Sequence, residues 1–174
     1  MLNQEEINLY IDVSNPLDCV EDIMIGRDWV FERLNEDELT VQVSGKFGHY
    51  SMAFVWQEDV NALQFSAQID TEIHASKMDE AQKIMSQINA GLWLGHFDMA
   101  KGSSQPSFRH TSLFRGMTEG SGAPYIEDLI QIGLAECERY FMTFDLLSKA
   151  SSQENIITSH SDMDLAMMDV YGVA

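Results

Sequence analysis

Basic residues are what this chain has least of: Lys and Arg together number 10 against 28 Asp and Glu in 174 residues, a formal charge of −18. Polyanions hold proteins whose Lys and Arg neutralise their charges and release the condensed counterions into solution, so this balance points away from nucleic acid and from anionic membrane as partners. The acidic residues are spread along the sequence instead of forming one tail, the pattern of a solvated surface. Cysteine is almost as scarce, with Cys19 and Cys137 alone. Neither stands in CxxC or CxxH spacing, which leaves no disulfide scaffold and no redox or zinc motif, and each sits in an apolar helical pattern that suits a buried free thiol. No stretch approaches the roughly 18 continuous apolar residues of a membrane span. The first ten residues carry Glu5 and Glu6 with no basic residue, unlike a secretory signal. The compartment expected is the cytoplasm. Nucleophile motifs are missing as well: no Gly-x-Ser-x-Gly occurs, and neither cysteine adjoins a histidine. The one glycine-rich stretch, Gly116 to Gly122, lacks the Lys-Ser/Thr of a phosphate loop and reads as a linker.

What is present is an apolar content of 45%, enough for one compact domain with a core. Asn15 before Pro16 marks a helix start, since Asn can accept first-turn amide hydrogens and Pro lacks the donor that would be orphaned there. Leu17, Val20, Ile23 and Met24 then recur at helical spacing to about Arg27, with Gly26 as the expected left-handed exit. From Trp29 the period becomes two. Val30 to Leu34 and Leu39 to Val43 flank Asn35-Glu36-Asp37-Glu38 as a hairpin, and Tyr50 to Trp56 and Leu63 to Ile69 continue an antiparallel sheet with one wet face.

Ser76 with Asp79 three residues on predicts the cap of a second helix, whose stripe is Met78, Ala81, Ile84, Met85 and Ile88. Trp93 to Met99 and Ser107 to Arg115 predict a second hairpin around Lys101 to Pro106. Pro124 opens the longest helix, with Ile126, Leu129, Ile130, Leu134, Cys137, Phe141 and Phe144 on one face, of which Ile130, Leu134 and Phe141 are expected on the sheet. The fold class is therefore α+β, an antiparallel sheet with helices packed on it in the order α-ββββ-α-ββ-α. Residues 1–14 are read as an N-terminal extension and 15–148 as the domain. Residues 149–174 are read as a flexible connection to a short helix within Asp162 to Val170.

Chemistry-bearing residues concentrate on the second hairpin. His96 and His110 lie on its two strands, and alternation puts Asp98 on the face of His96; with Arg109 they could form a polar site for a small ligand or an enzyme. Two histidines and one carboxylate fall short of a zinc set, so no metal and no cofactor are expected. That polar site is the alternative to a protein-binding reading, which uses the aromatic residues of the same region, Trp93, Phe97 and Phe108, with Arg109, as an apolar grip on a client segment.

The ordered series Pro16-Leu17-Asp18, Trp29-x-Phe31-Glu32-Arg33, Glu36-Asp37-Glu38-Leu39, Ala62-Leu63-Gln64-Phe65-Ser66, Leu92-Trp93-Leu94-Gly95-His96-Phe97-Asp98, Phe108-Arg109-His110 and Glu136-Cys137-Glu138-Arg139 resembles the bacterial YbjN domain. The likeness spans about Pro16 to Leu147. The tail Leu165-Ala166-Met167-Met168-Asp169 is similar to the family's alphaproteobacterial branch. The resemblance implies a fold similar to that of type III secretion chaperones, which are small, acidic, usually dimeric proteins that hold an extended client segment. It also implies a sensory transduction regulator linked to stress responses. On that footing the expectation is a non-enzymatic protein-binding domain, chaperone-like or regulatory, that forms a homodimer; the family supplies no catalytic residues to carry over.

Overall fold

The computed structural model describes residues 15–114 and 119–150. Helix α1, Pro16–Gly26, starts as its sequence dictates: the Leu17 N–H donates to the Asn15 side chain at 2.9 Å, and Pro16 needs no partner. Its exit differs from expectation. Trp29 N–H donates to the Met24 carbonyl and Asp28 N–H to that of Ile25, a Schellman closure in which Asp28, at φ 56°, takes the left-handed position instead of Gly26. A short acidic side chain tolerates that backbone better than most, so the turn lies two residues beyond the glycine.

The strands are β1 (Phe31–Asn35), β2 (Glu38–Ser44), β3 (His49–Gln57), β4 (Ala62–Ile69), β5 (His96–Asp98) and β6 (Ser107–Leu113). They form one antiparallel sheet in the order β1-β2-β3-β4-β6-β5, so β6 inserts between β4 and its own hairpin partner. Helix α2, Met78–Gly91, connects β4 to β5, and helix α3, Glu119–Ser148, follows β6. The α+β order read from the sequence is the order found. Two helix starts are corrected. The N-terminal turn before α2 is capped by the His74 ring, which accepts from Ser76 N–H at 3.3 Å, and not by Ser76. Helix α3 begins at Glu119, so Pro124 lies inside it and the glycine-rich stretch is helical from Glu119 on. The expected C-terminal helix, Asp162 to Val170, and the N-terminal extension lie outside the described residues.

One face of the sheet supplies the core. Tyr50, Met52, Phe54 and Trp56 of β3 and Leu63, Phe65, Ala67 and Ile69 of β4 are all buried, in one cluster with the inner stripes of the three helices. The stripe of α3 that meets the sheet runs Ile126, Ile130, Gly133, Cys137, Tyr140, Phe144 and Leu147. Leu134 and Phe141 are only partly buried at its margins, a correction of the predicted face by part of a turn. Phe141 stacks instead on Phe47 of the β2–β3 turn, ring centroids 6.1 Å apart. Edge strand β5 is satisfied by a side chain: Asn89 of α2 accepts from Phe97 N–H at 2.7 Å and donates to the Phe97 carbonyl at 2.9 Å, so the amide occupies the place of a further strand.

Candidate functional site: the open face of the sheet

The opposite face of the sheet carries no helix among the described residues. Strand alternation places Ser51, Ala53 and Val55 of β3, Gln64, Ser66 and Gln68 of β4, and Ser107, Arg109 and Thr111 of β6 on it, half-buried or exposed. Small side chains in the middle and longer ones around them leave a trough of about 340 Å³ whose lining includes Ala53, Val55, Gln64, Ser66, His96 and Arg109. Arg109 is the single formally charged side chain of those three strand segments, in a chain of charge −18.

Register decides which of the sequence-selected residues meet. His96 pairs with Arg109, Phe97 with Phe108 and Asp98 with Ser107. His96, Asp98 and Arg109 therefore share the open face, where Arg109 Nη1 meets Asp98 Oδ2 at 3.0 Å. Both partners are nearly half exposed, 45% and 42%, so water screens the pair and it contributes little to stability. His110 is one residue further along β6 and so faces the helices, opposite Phe65 of β4. Its Nε2 lies 3.3 Å from Tyr125 Oη, which also bonds Ser112 Oγ. Burial, with a smaller contribution from the charge of His96, holds its pKa below the ordinary histidine value. The four-residue polar site expected from sequence is thus divided between two faces. Among the described residues no group of three or more His, Cys, Asp and Glu could hold a metal ion.

The aromatic grip is divided too. Phe97 and Phe108 are core residues, 3% and 0% exposed, and their rings meet edge to face at 5.8 Å under Tyr140 and Phe144 of α3. They support the open face from beneath and offer nothing to a partner. Trp93 is 79% exposed in the turn before β5, where Gly95, at φ 66°, bends the chain against Phe108 and leaves Trp93 to Gly95 outside the strand. Of the four residues proposed for partner contact, Trp93 and Arg109 are at the surface. Cys137 is fully buried, with its Sγ donating to the Ala67 carbonyl at 3.4 Å; burial pushes its thiol up to about 12, so it is inert as a nucleophile at neutral pH. Sequence reasoning missed the contribution of Gln64, Ser66 and Ala53, whose only signal was that the wet positions of β3 and β4 are small or uncharged where the rest of the surface is acidic.

Comparison with known proteins gives a family and a fold. No curated protein matches this chain. The crystal structure of YbjN from E. coli, described there as "a putative transcription regulator", superposes with a TM-score of 0.50 at 17% identity, covering 73% of this chain and 93% of that one. That of the ExsC–ExsE complex is more distant, with a TM-score of 0.45, 9% identity and coverage of 78% and 94%. The family model YbjN, described as "Putative bacterial sensory transduction regulator", matches residues 16–146, which takes in all six strands and nearly all of the three helices, and the chain belongs to the YbjN family.

Proposed function

We propose that this protein is a cytoplasmic, non-enzymatic binding domain that holds a segment of another protein on the open face of its sheet, in a regulatory or chaperone-like role. The observation that carries the reading is the face itself: six paired strands with helices on one side among the described residues, whose central strands β3, β4 and β6 present Gln, Ser, Thr, Ala, Val and Arg109, with acidic Glu32, Glu38 and Asp98 on the flanking strands. Backbone groups of the central strands are already paired, so recognition falls to side chains. The Gln64 and Gln68 amides and the Ser66 and Thr111 hydroxyls both donate and accept, which suits the main chain of an extended segment. Trp93 at the rim offers a large apolar contact at little conformational cost. The low charge of the central positions on β3, β4 and β6 spares an acidic client the repulsion it meets elsewhere.

A homodimer belongs to the same reading. It is supported by partly exposed apolar surface among the described residues, where Phe47 (44% exposed) stacks on half-buried Phe141 beside the Lys46 ammonium, and Met142 (49% exposed) follows Phe141 in α3.

The test places a photo-crosslinking residue at Ser66 in the native cell. One discrete protein adduct is expected, lost when Ala53→Arg is combined with it and reduced by Trp93→Ala. A yield of adducts no higher than from the same residue at Lys83, on the far side of the molecule, would reject the open face as the binding surface.

A further inference from the structure

Helices α1 and α3 lie against each other in the helical layer. Along the outer stripe of α1 and the first turns of α3 they part to leave a groove of about 490 Å³, within the size range of sites that seat a ligand or a few side chains. Its floor is apolar, formed by Pro16, Ile23, Phe114 and Ile126. Its rim is acidic: Asp18, Asp22 and Glu127 are exposed around it. Asp18 is shared with Arg33 at 2.9 Å, whereas Asp22 and Glu127 have no ion-pair partner among the described residues. Among the described residues one cation, Arg27, also borders the groove, and its guanidinium is engaged 5.1 Å above the Trp29 ring.

We propose that this groove is a second docking site, which takes a partner segment carrying one or two large apolar side chains flanked by Lys or Arg. The apolar floor would bury the former and the Asp22 and Glu127 carboxylates would pair with the latter, the helix-in-groove mode of recognition with its charge sign set by the rim. Charge also decides between occupants. The parts of this chain outside the described residues at its two ends, 1–14 and 151–174, hold Glu5, Glu6, Asp12, Glu154, Asp162, Asp164 and Asp169 and not one Lys or Arg, so either would bring like charge to an acidic rim. A second copy would bring a further −18. The site is on the opposite side of the molecule from the open sheet face and does not depend on it.

The experiment is fluorescence anisotropy of the full chain with a labelled amphipathic peptide of Leu and Lys in helical spacing, against a Leu/Glu peptide of the same pattern. Three variants locate the binding. Gly26→Trp plugs the groove without a change of charge, and a Cβ at that position meets nothing within 4 Å, so the ring can enter the groove without a clash at its base. Asp22→Asn with Glu127→Gln removes two rim charges, and Glu58→Gln with Asp59→Asn removes two from a remote acidic turn. Binding of the Leu/Lys peptide alone is expected, weakened about tenfold or more by the first two variants and less than about twofold by the third. It should be unchanged by Ala53→Arg, which separates this site from the sheet face. Equal weakening by the remote pair would reduce the effect to bulk charge, and full binding by Gly26→Trp would place the peptide elsewhere; either overturns the proposal. Tighter binding by Ile7→Glu/Ile11→Glu would make the occupant the chain's own N-terminal segment, and a dimer lost in Gly26→Trp would make it a second copy; each would overturn it as well.

Discussion

Gly133 sits where α3 crosses the sheet, and the absence of its side chain lets the helix approach. A Cβ there would lie 2.5 Å from Cε1 and 3.0 Å from Cζ of Phe65, and 3.2 Å from Cδ1 of Phe108. Phe65 has little room to yield, because its ring is already against Phe54 at 5.1 Å and Phe108 at 6.4 Å. Two effects of Gly133→Ala then oppose each other: helix propensity favours Ala by about 1 kcal/mol, while overpacking a filled core costs about 1–3 kcal/mol. The expected outcome is a net loss of about 1 kcal/mol, read as a melting temperature lower by about 3 °C. Gly26→Ala, at an open position of α1, should instead hold or raise it. A gain in stability from Gly133→Ala would mean that the helix rides higher on the sheet than the structure places it.

At the scale of elements, the two phenylalanines near the end of α3 distinguish the observed helix face from the one its sequence suggests. Phe144 is fully buried and touches Phe97 at 5.3 Å, whereas Phe141 is half-buried against Phe47, itself 44% exposed. Urea unfolding should therefore assign about 3–5 kcal/mol to Phe144→Ala and about 1–2 kcal/mol to Phe141→Ala, since half the side chain already meets water. Equal costs would restore the face read from sequence.

That face was misread because α3 is apolar over more than the stripe it buries. Periodicity finds such a helix, and only the packed sheet says which side of it is inward. The strands were legible for the opposite reason. Period-two alternation in Leu63 to Ile69 admits one inward face, and all four inward residues are buried. The hairpin register was not legible: it is set by the turn between Ala100 and Ser103, whose amide–carbonyl bond spans 2.8 Å, and a shift of one residue changes which of Arg109 and His110 stands across from His96. The candidate site was consequently half visible. Arg109 and Trp93 were found as residues, while the face to which Arg109 belongs needed the strand order β4-β6-β5 that no local signal carries.

For the whole molecule, charge and assembly act against each other. Two copies of a chain of −18 repel at long range, while the patch at the Phe47–Phe141 stack offers apolar area that is independent of salt to first order. The Debye length falls from about 30 Å at 0.01 M salt to about 8 Å at 0.15 M, so repulsion between surfaces is strong at the lower ionic strength and largely screened at the higher. A homodimer held by that patch should accordingly become more populated as salt rises, the reverse of an assembly held by opposite charges. Sedimentation velocity at the two ionic strengths reads this directly, and Phe47→Ser, which removes one ring of the stack, should shift the population toward monomer at both. Association that weakens with salt would assign the contact to ion pairs instead, and a monomer under both conditions would remove the dimer from the proposed function while leaving both docking faces available to partners.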